Sequence, residues 1–333
     1  MIKTDILIIG AGPVGLFTVF EAGLLKLKCH LIDALPQVGG QLSEIYPKKP
    51  IYDIPGYPSI LAGDLVDRLM EQIAPFKPEF TLGERAEAIE RTEDDRFLLT
   101  SNKGTKINAG IIAIAGGLGS FEPRKPPIPN IENFEDAGVN YFIRDPEIYR
   151  GKKILIAGGG DSALDWTIEL AGIASEVTLV HRRNSFRGAL DSVEKVTDLA
   201  KASKINLVTN AQAIGIKGDQ KLTAVTIKSE GVEKDLEVDH FIPLFGLSPK
   251  LGPIANWDLN ITKSAIDVNT LDYSTNVPGI YAIGDINNYE GKLKLILCGF
   301  HEATLMVQSA FKRIYPDQKL SFKYTTVTGI EGL

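Results

Sequence analysis

The hydrophobic pattern begins with a short continuous apolar run at residues 5–9 (DILII), typical of a parallel strand buried on both faces. A glycine cluster follows this run, and a helical pattern then extends from residue 13 to about residue 27. A second apolar strand, Cys29–Asp33, ends in an acid. This order of strand, glycine turn, helix and strand predicts a βαβ unit.

The same pattern returns in the middle of the chain. Residues 153–157 (KILIA) form an apolar run, residues 158–163 form a second glycine-rich turn, and residues 164–171 are helical in pattern. Another strand at 177–180 ends in the basic run 181–183 (HRR). Two such units predict two dinucleotide-binding domains in one chain.

The segments between these units predict how the two domains are connected. Strand patterns at 97–100, 105–107 and 111–115 precede a Gly-Gly pair and a proline-rich stretch. A hairpin at 224–238 and a strand at 241–245 precede a second crossover, followed by a strand at 280–283 and a helix at 300–314. We therefore expect an α/β fold with two Rossmann-like domains of the three-layer ββα type. The first is discontinuous, 1–117 with 246–333, and the second, 118–245, is inserted in it.

The first glycine cluster reads Gly10-x-Gly12-x-x-Gly15, with Pro13 opening the helix. Its glycines permit a tight bend, a close approach of the backbone to a pyrophosphate, and close packing of helix against strand. The helix N-terminus favours the negative pyrophosphate. Asp33 follows about 20 residues later, where it is expected to bind ribose hydroxyls and to repel a 2′-phosphate. The alternative is a generic βα turn that needs glycine only for packing.

The second glycine cluster differs at the ribose end of its unit. Where the first unit has an acid, this one has a basic run, and guanidinium groups match the geometry of phosphate. The difference predicts a preference for NADPH over NADH, and the alternative is a solvated basic surface. The residues expected to bind NADPH are Gly158, Gly160, Asp161, Ser162, Ala163, His181, Arg182, Arg183 and Arg187.

Composition narrows the range of functions. The 333 residues carry a net charge of -6, so no global basic field attracts nucleic acid or anionic membrane. The sequence shows no secretory signal and no membrane-spanning run, so we expect a cytoplasmic protein. Two cysteines far apart, Cys29 and Cys298, argue against a disulfide framework and a zinc site, and no metal site is expected.

The first glycine cluster, the Gly116-Gly117 pair and the segment 280–285 (IYAIGD) together resemble the two-domain flavoproteins of the pyridine nucleotide-disulfide oxidoreductase superfamily. The resemblance implies FAD at the first site, NADP(H) at the second, and contact between Asp285 and the flavin ribityl chain. Within the superfamily the second unit is similar to the thioredoxin-reductase branch. The residues at the place of that branch's Cys-x-x-Cys are 141–145 (YFIRD), so thioredoxin reduction, which needs two thiols, is excluded.

The segment 39–53 and the tail 324–326 are most similar to the thioredoxin-reductase-like (type 2) ferredoxin–NADP reductases. The resemblance implies that Tyr46 and Tyr324 stack on the flavin, Thr325 and Thr326 lie near it, and Phe121 lines the ring. It further implies a flavin contact by Gln41 and an adenine contact by the backbone of Ala86. The expected FAD residues are Gly10, Gly12, Pro13, Gly15, Asp33, Gln41, Tyr46, Ala86, Phe121, Asp285, Tyr324, Thr325 and Thr326.

The implied activity is electron transfer between ferredoxin, or flavodoxin, and NADP⁺ by a homodimeric enzyme. No catalytic side chain is expected, because flavin N5 carries the hydride. Two alternatives remain at this point. One is an NADPH-dependent flavin, quinone or dye reductase with another acceptor, and the other is a redox-sensing binding protein without turnover.

Overall fold

The computed structural model describes residues 1–119, 122–135, 137–248, 250–320 and 329–330. The chain forms two compact units, Met1–Ser120 with Pro249–Leu333, and Phe121–Ser248. The boundaries expected from the sequence, 117/118 and 245/246, each lie three residues before these. The second unit is therefore continuous in sequence and is inserted in the first.

Both units contain α-helices and β-strands. The α-helices of the described residues are α1 (Pro13–Leu24), α2 (Gln41–Glu44), α3 (Ala62–Ile73), α4 (Asp161–Leu170), α5 (Leu190–Lys201) and α6 (Ile296–Ile314). The strands are β1 (Ile2–Ile9), β2 (Cys29–Asp33), β3 (Pro50–Ile51), β4 (Ile60–Leu61), β5 (Glu79–Leu82), β6 (Ala86–Arg91), β7 (Phe97–Ser101), β8 (Lys106–Ile114), β9 (Glu122–Pro123), β10 (Lys153–Gly158), β11 (Glu176–Val180), β12 (Asn206–Val208), β13 (Ala211–Gly218), β14 (Leu222–Ser229), β15 (Val232–Glu237), β16 (His240–Leu244), β17 (Leu247–Ser248), β18 (Ile261–Thr262), β19 (Ala265–Asp267), β20 (Ile280–Ala282) and β21 (Asn287–Asn288). Across the described ranges, no helix is both long enough and apolar enough to cross a membrane.

The main sheet of the first unit has the order β5-β2-β1-β8-β7-β6, and β20 also pairs with β8. Strands β5, β2, β1, β8 and β20 pair in parallel, whereas β7 and β6 continue the sheet in antiparallel fashion. The segments that follow β1, β2, β8 and β20 therefore meet at one edge of the sheet. In open parallel sheets this carboxyl edge is where ligands bind.

Alternate side chains of β1 build two different layers of core. Ile6 and Ile8 pack with residues of α1, α3 and α6, whereas Leu7 and Ile9 pack with residues of β6 and β7. This alternation follows from the period of two in a strand. The helices of the first unit therefore cover one face of the parallel strands, and β6 and β7, the antiparallel end of the same sheet, contribute to the core on the other face.

The second unit repeats this plan on a smaller scale. Its parallel sheet has the order β12-β11-β10-β16, and β13, β14 and β15 form a separate antiparallel sheet. Leu155 and Ala157 of β10 pack against Val225 and Ile227 of β14. Helix α4 contacts β10 and β11. The turn after β10 and the end of β11 therefore lie at the carboxyl edge of this sheet.

The observed bounds differ from the predicted ones in several places. Residues 106–114 form one strand, β8, because its backbone pairs with β1 from residue 107 to residue 114. The polar Asn108 inside it is buried and accepts a hydrogen bond from Arg96 Nε (2.5 Å). Helix α1 ends at Leu24 and α6 begins at Ile296, whereas the sequence predicted residues 27 and 300. The sequence analysis also missed α3 and α5.

Candidate functional site

The turn between β1 and α1 depends on three glycines in two different ways. Gly10 has a φ of +109°, and a Cβ there would lie 2.4 Å from the carbonyl oxygen of Ala115. A Cβ on Gly15 would lie 2.0 Å from the carbonyl oxygen of Gly10. A Cβ on Gly12, in contrast, would have no described atom within 4 Å. Two glycines therefore permit close packing, and the third leaves open space before Pro13, the first residue of α1.

Replacing Gly15 with alanine is expected to destabilise the first unit, because the new methyl group would overlap the Gly10 carbonyl oxygen at 2.0 Å. Overpacking of this kind costs roughly 1–3 kcal/mol. Thermal unfolding followed by circular dichroism measures the effect, and Gly12→Ala, whose methyl enters open space, is the control. Equal unfolding midpoints for the two variants would contradict the tight contact.

Asp33, at the end of β2, contacts the same turn through its carboxylate. Oδ2 accepts a hydrogen bond from the N–H of Ala11 (2.7 Å), and Oδ1 accepts one from the N–H of Leu35 (2.9 Å). Burial raises the pKa of this carboxyl, and the two backbone donors oppose the rise. A carboxylate has about four acceptor positions. Both oxygens therefore keep a lone pair for the hydroxyls of a ribose.

Gln41 lies beside two glycine-containing turns at the carboxyl edge of the sheet. The preceding residue, Gly40, has a φ of +57°, and a Cβ there would lie 3.3 Å from the Cα of Gly12. The side-chain Nε2 of Gln41 lies 3.5 Å from where a Cβ of Gly117 would be. Because Gly12 follows β1 and Gly117 follows β8, residues 40 and 41 lie beside the turns that follow these two neighbouring strands.

Tyr46 lies close to the carboxylates at this edge. It packs half-buried against the helix-side core of the first unit. Burial, together with the carboxylates of Asp285 and Asp53, raises the pKa of its hydroxyl to about 12. The hydroxyl is therefore protonated at neutral pH and remains a hydrogen-bond donor, while the Lys49 ammonium lies 5.9 Å from the ring centroid.

Asp285 lies in the short turn Gly284–Ile286 that follows β20. Burial raises the pKa of its carboxyl, while the charges of Lys292 and Lys294 lower it and that of Glu302 raises it. Because β20 pairs with β8, this acid lies at the same sheet edge as the glycine turn after β1. The structure thus brings the predicted acids of the first unit to one edge.

Glu302 on α6 is a candidate that the sequence analysis missed. Its side chain is fully buried and accepts four hydrogen bonds from residues 284–292, the segment that contains Asp285. A signal for it was present in the sequence, because Glu302 shares a helix face with Gly299, Ala303 and Met306. A charge on an apolar helix face implies a buried partner.

The remaining FAD candidates are only partly described. Ala86 begins β6 and is buried in the cluster that contains Ile9 and Ile32, two residues near the ends of β1 and β2. Some predicted flavin contacts lie outside the described residues and stay predictions: Phe121, Tyr324, Thr325 and Thr326.

The turn between β10 and α4, like the first turn, contains one closely packed glycine and one glycine that faces open space. A Cβ on Gly158 would lie 2.7 Å from the Cβ of Ala163 and 2.7 Å from the carbonyl oxygen of Leu244. A Cβ on Gly160, which caps α4, would meet nothing within 4 Å among the residues described. Each turn therefore leaves space for a pyrophosphate before a helix N-terminus, where free N–H groups favour an anion.

The loop after β11 folds back onto this second turn. The N–H of Arg187 donates to the carbonyl oxygen of Gly159 (2.8 Å), and the N–H of Ala189 donates to Asp161 Oδ1 (2.7 Å). Asp161 and Ser162, the first residues of α4, are both exposed. Asp161 therefore shapes the basic loop, and Ser162 lies at the open N-terminus of the helix.

His181 is buried below the turn, in contrast to the arginines after it. Its ring stacks on Phe186 with centroids 4.9 Å apart, and its Nε2 lies 3.1 Å from the carbonyl oxygen of Ser185. A Cβ on Gly159 would lie 2.1 Å from the ring. Burial lowers the pKa of His181, the Ser185 contact opposes this, and the nearby guanidinium charges add to the lowering. The neutral ring holds the loop in place, and its predicted contact with a phosphate stays a prediction.

Arg182, Arg183 and Arg187 are exposed on this loop. Within the part of the chain that the structure describes, none of the three guanidinium groups forms an ion pair. They are therefore free to bind a phosphate. The ribose end of the second unit thus carries three positive charges, whereas the corresponding place in the first unit carries the Asp33 carboxylate.

The chain is similar to known proteins along its whole length. Residues 4–304 match the family described as pyridine nucleotide-disulphide oxidoreductase. A protein of Christiangramia forsetii named ferredoxin–NADP reductase 1 is 69% identical, covering 100% of this chain and 95% of the relative. A ferredoxin–NADP reductase of Flavobacterium johnsoniae is 68% identical with the same coverage. The crystal structure of Lactococcus lactis thioredoxin reductase matches with a TM-score of 0.81 and 25% identity, covering 94% of this chain and 100% of that one.

These comparisons confirm the predicted α/β fold, the predicted superfamily and the prediction of an oxidoreductase. FAD and NADP(H), the cofactors predicted from the sequence, are those of this family. The matched residues include both glycine-rich turns and the first nine residues of α6. The chain belongs to the pyridine nucleotide-disulphide oxidoreductase family.

Proposed function

We propose that this chain is a ferredoxin–NADP reductase that moves electrons between ferredoxin, a one-electron iron–sulfur carrier, and NADP⁺ through FAD. Flavodoxin is the alternative carrier. The main support is the contrast between Asp33 at one ribose position and three exposed arginines at the other. Two relatives at 69% and 68% identity carry this name. The two cysteines, Cys29 and Cys298, are too far apart in sequence to form a Cys-x-x-Cys pair, so thioredoxin reduction is excluded.

The first unit is the proposed FAD domain. The open space at Gly12 and the N-terminus of α1 fit a pyrophosphate, and the two oxygens of Asp33 fit the hydroxyls of the adenosine ribose. Asp285, at the same sheet edge, is the proposed partner of the ribityl hydroxyls. Gln41 offers an amide, and Tyr46 a protonated hydroxyl and an aromatic face, near these acids.

The second unit is the proposed NADP(H) domain. Gly160 and the exposed start of α4 fit the pyrophosphate, and Arg182, Arg183 and Arg187 fit the 2′-phosphate. The buried His181 ring acts as a positioning group, because it fixes the loop that carries the arginines. This assignment explains why the loop is bonded to the glycine turn through Arg187 and Ala189.

FAD, when bound, supplies both hydride and single-electron transfer, and so links a two-electron nicotinamide to a one-electron carrier. The side chains of the protein bind and orient the two cofactors. Stacking of the Tyr46 ring is expected to contribute about 0.5–1.5 kcal/mol. No protein nucleophile is required. We also propose a cytoplasmic homodimer, supported by the resemblance to this group of reductases.

The purified protein is expected to be yellow and to reduce cytochrome c with NADPH only when ferredoxin is added. Cytochrome c accepts single electrons, so ferredoxin serves as the required carrier between the flavin and the heme. The absorbance change of cytochrome c, with and without ferredoxin, measures this dependence, and NADH replaces NADPH as the nucleotide control. Equal rates without ferredoxin, or with added quinone alone, would instead support a general NADPH-dependent flavin, quinone or dye reductase.

A further inference from the structure

A buried carboxylate connects α6 with the segment that contains Asp285. Glu302 Oε2 accepts hydrogen bonds from the N–H of Gly284 (2.6 Å) and from Asn287 Nδ2 (2.8 Å). Glu302 Oε1 accepts from the hydroxyl of Tyr289 (2.9 Å) and from Lys292 Nζ (2.5 Å). All four donors lie between residues 284 and 292. One side chain thus holds the whole segment after β20.

The ion pair within this network is protected from water. The side chains of Lys292 and Glu302 are 7% and 1% exposed. Removing one member of a buried pair is costly, because the other charge is left without a partner. The Lys292 ammonium also lies 5.3 Å from the Tyr289 ring centroid. Because the side chains of Lys292 and Glu302 are both buried, solvent screens the attraction between their charges only weakly.

Residues before and after Asp285 in the sequence donate hydrogen bonds to Glu302. The N–H of Gly284, the residue before it, and the amide of Asn287, two residues after it, bind the same Glu302 oxygen. The Asn287 amide also donates to the carbonyl oxygen of Ala282 at the end of β20 (3.0 Å). The backbone around Asp285 is therefore fixed to β20 and to α6, while the Asp285 carboxylate itself remains outside this network.

We propose that Glu302 is a positioning residue of the flavin site, which holds Asp285 where its carboxylate receives the ribityl hydroxyls of FAD. This inference rests on the proposed function, since it takes FAD to be bound at Asp285. Glu302 does not touch the cofactor and acts through the backbone of residues 284–287. The segment after β20 thus depends on a side chain of α6 that lies 17 residues after Asp285 in the sequence.

The test is a double-mutant cycle on FAD affinity. Glu302→Gln keeps the shape of the side chain, but its amide group then faces two hydrogen-bond donors and cannot accept from them. The dissociation constant of FAD is therefore expected to rise about tenfold, as for a lost hydrogen bond to a charged group. In an Asp285→Asn background the same change is expected to alter affinity less than about twofold, because the two residues act as one unit. Titration of apoprotein with FAD, followed by flavin fluorescence, gives the four constants.

Two further measurements separate positioning from general stability. The visible circular dichroism of bound flavin should change in Glu302→Gln, whereas NADP⁺ affinity, measured by calorimetry, should not. Glu290→Gln removes an exposed acid from the same segment and is the matched control. If Glu302→Gln does not fold, Tyr289→Phe removes a single donor and keeps the carboxylate. It should raise the dissociation constant by a smaller factor, again only when Asp285 is present.

Unchanged FAD affinity in Glu302→Gln, or losses that add fully to those of Asp285→Asn, would overturn the positioning role. Such results leave the proposed function intact, because the wild-type protein and Glu290→Gln would still bind FAD. A wild-type protein that binds no FAD would instead refute the proposed function, and the assignment of Glu302 with it.

Discussion

Replacing Gly12 with valine is expected to give a folded protein that no longer retains FAD. Gly12 has φ −75° and ψ −179°, which valine adopts readily, and a Cβ there meets no described atom within 4 Å. The branched side chain would fill the space before α1 where the proposed pyrophosphate accepts backbone hydrogen bonds. Each charge-assisted hydrogen bond contributes about 1.5–3 kcal/mol. Losing two of them weakens FAD binding by roughly a hundredfold or more.

The matched control is Gly160→Val in the second turn. Gly160 has φ −104° and ψ 179° and faces equally open space. This variant should stay yellow and lose affinity for NADPH, whereas Gly12→Val should lose FAD and keep NADP⁺ binding. Flavin absorbance per polypeptide after gel filtration measures the first property, and calorimetric titration with NADP⁺ measures the second.

Comparing Gly12→Val with Gly160→Val distinguishes the loss of one nucleotide site from general damage to the fold. Gly12→Val that retains FAD would contradict the placement of FAD at the first turn. Loss of both nucleotides in one variant, together with a lower unfolding midpoint, would show that the space beside that glycine is needed for packing. Only the reciprocal pattern supports one nucleotide per turn.

Replacing Arg182 and Arg183 together with alanine is expected to remove the preference for NADPH over NADH. Both guanidinium groups are exposed, lie at the end of β11, and form no ion pair in the described structure. A charged hydrogen bond to phosphate contributes about 1.5–3 kcal/mol. The value of kcat/KM for NADPH should therefore fall by roughly a hundredfold or more, while the value for NADH should stay nearly constant.

Arg150→Ala is the control for this loss of charge. Arg150 is exposed in the same unit and is paired with Glu147 at 2.7 Å, far in sequence from the basic loop. It should leave both nucleotide preferences unchanged. The salt dependence of KM for NADPH gives a second readout, since a phosphate contact weakens as ionic strength rises. Equal losses with NADPH and NADH would refute a contact with the 2′-phosphate.

Local pattern was enough to predict the nucleotide turns. A buried apolar run, glycines at fixed spacing and the residue at the end of the next strand lie close together in sequence, so Gly10–Asp33 and its counterpart in the second unit can be interpreted without tertiary information. The sequence also contains the amphipathic pattern of α3, and a helix over these residues, with Leu65, Val66 and Leu69 buried, follows from that pattern alone.

The sequence alone therefore determined the fold class, the two glycine turns and the contrast between Asp33 and the arginines. Only the tertiary structure showed that His181 is buried under its turn, that Gln41 lies beside Gly117, and that Glu302 holds the segment around Asp285. The physical reason is that backbone preferences and periodicity are local. Contacts between strand ends and helices, in contrast, depend on the order of strands in the sheet.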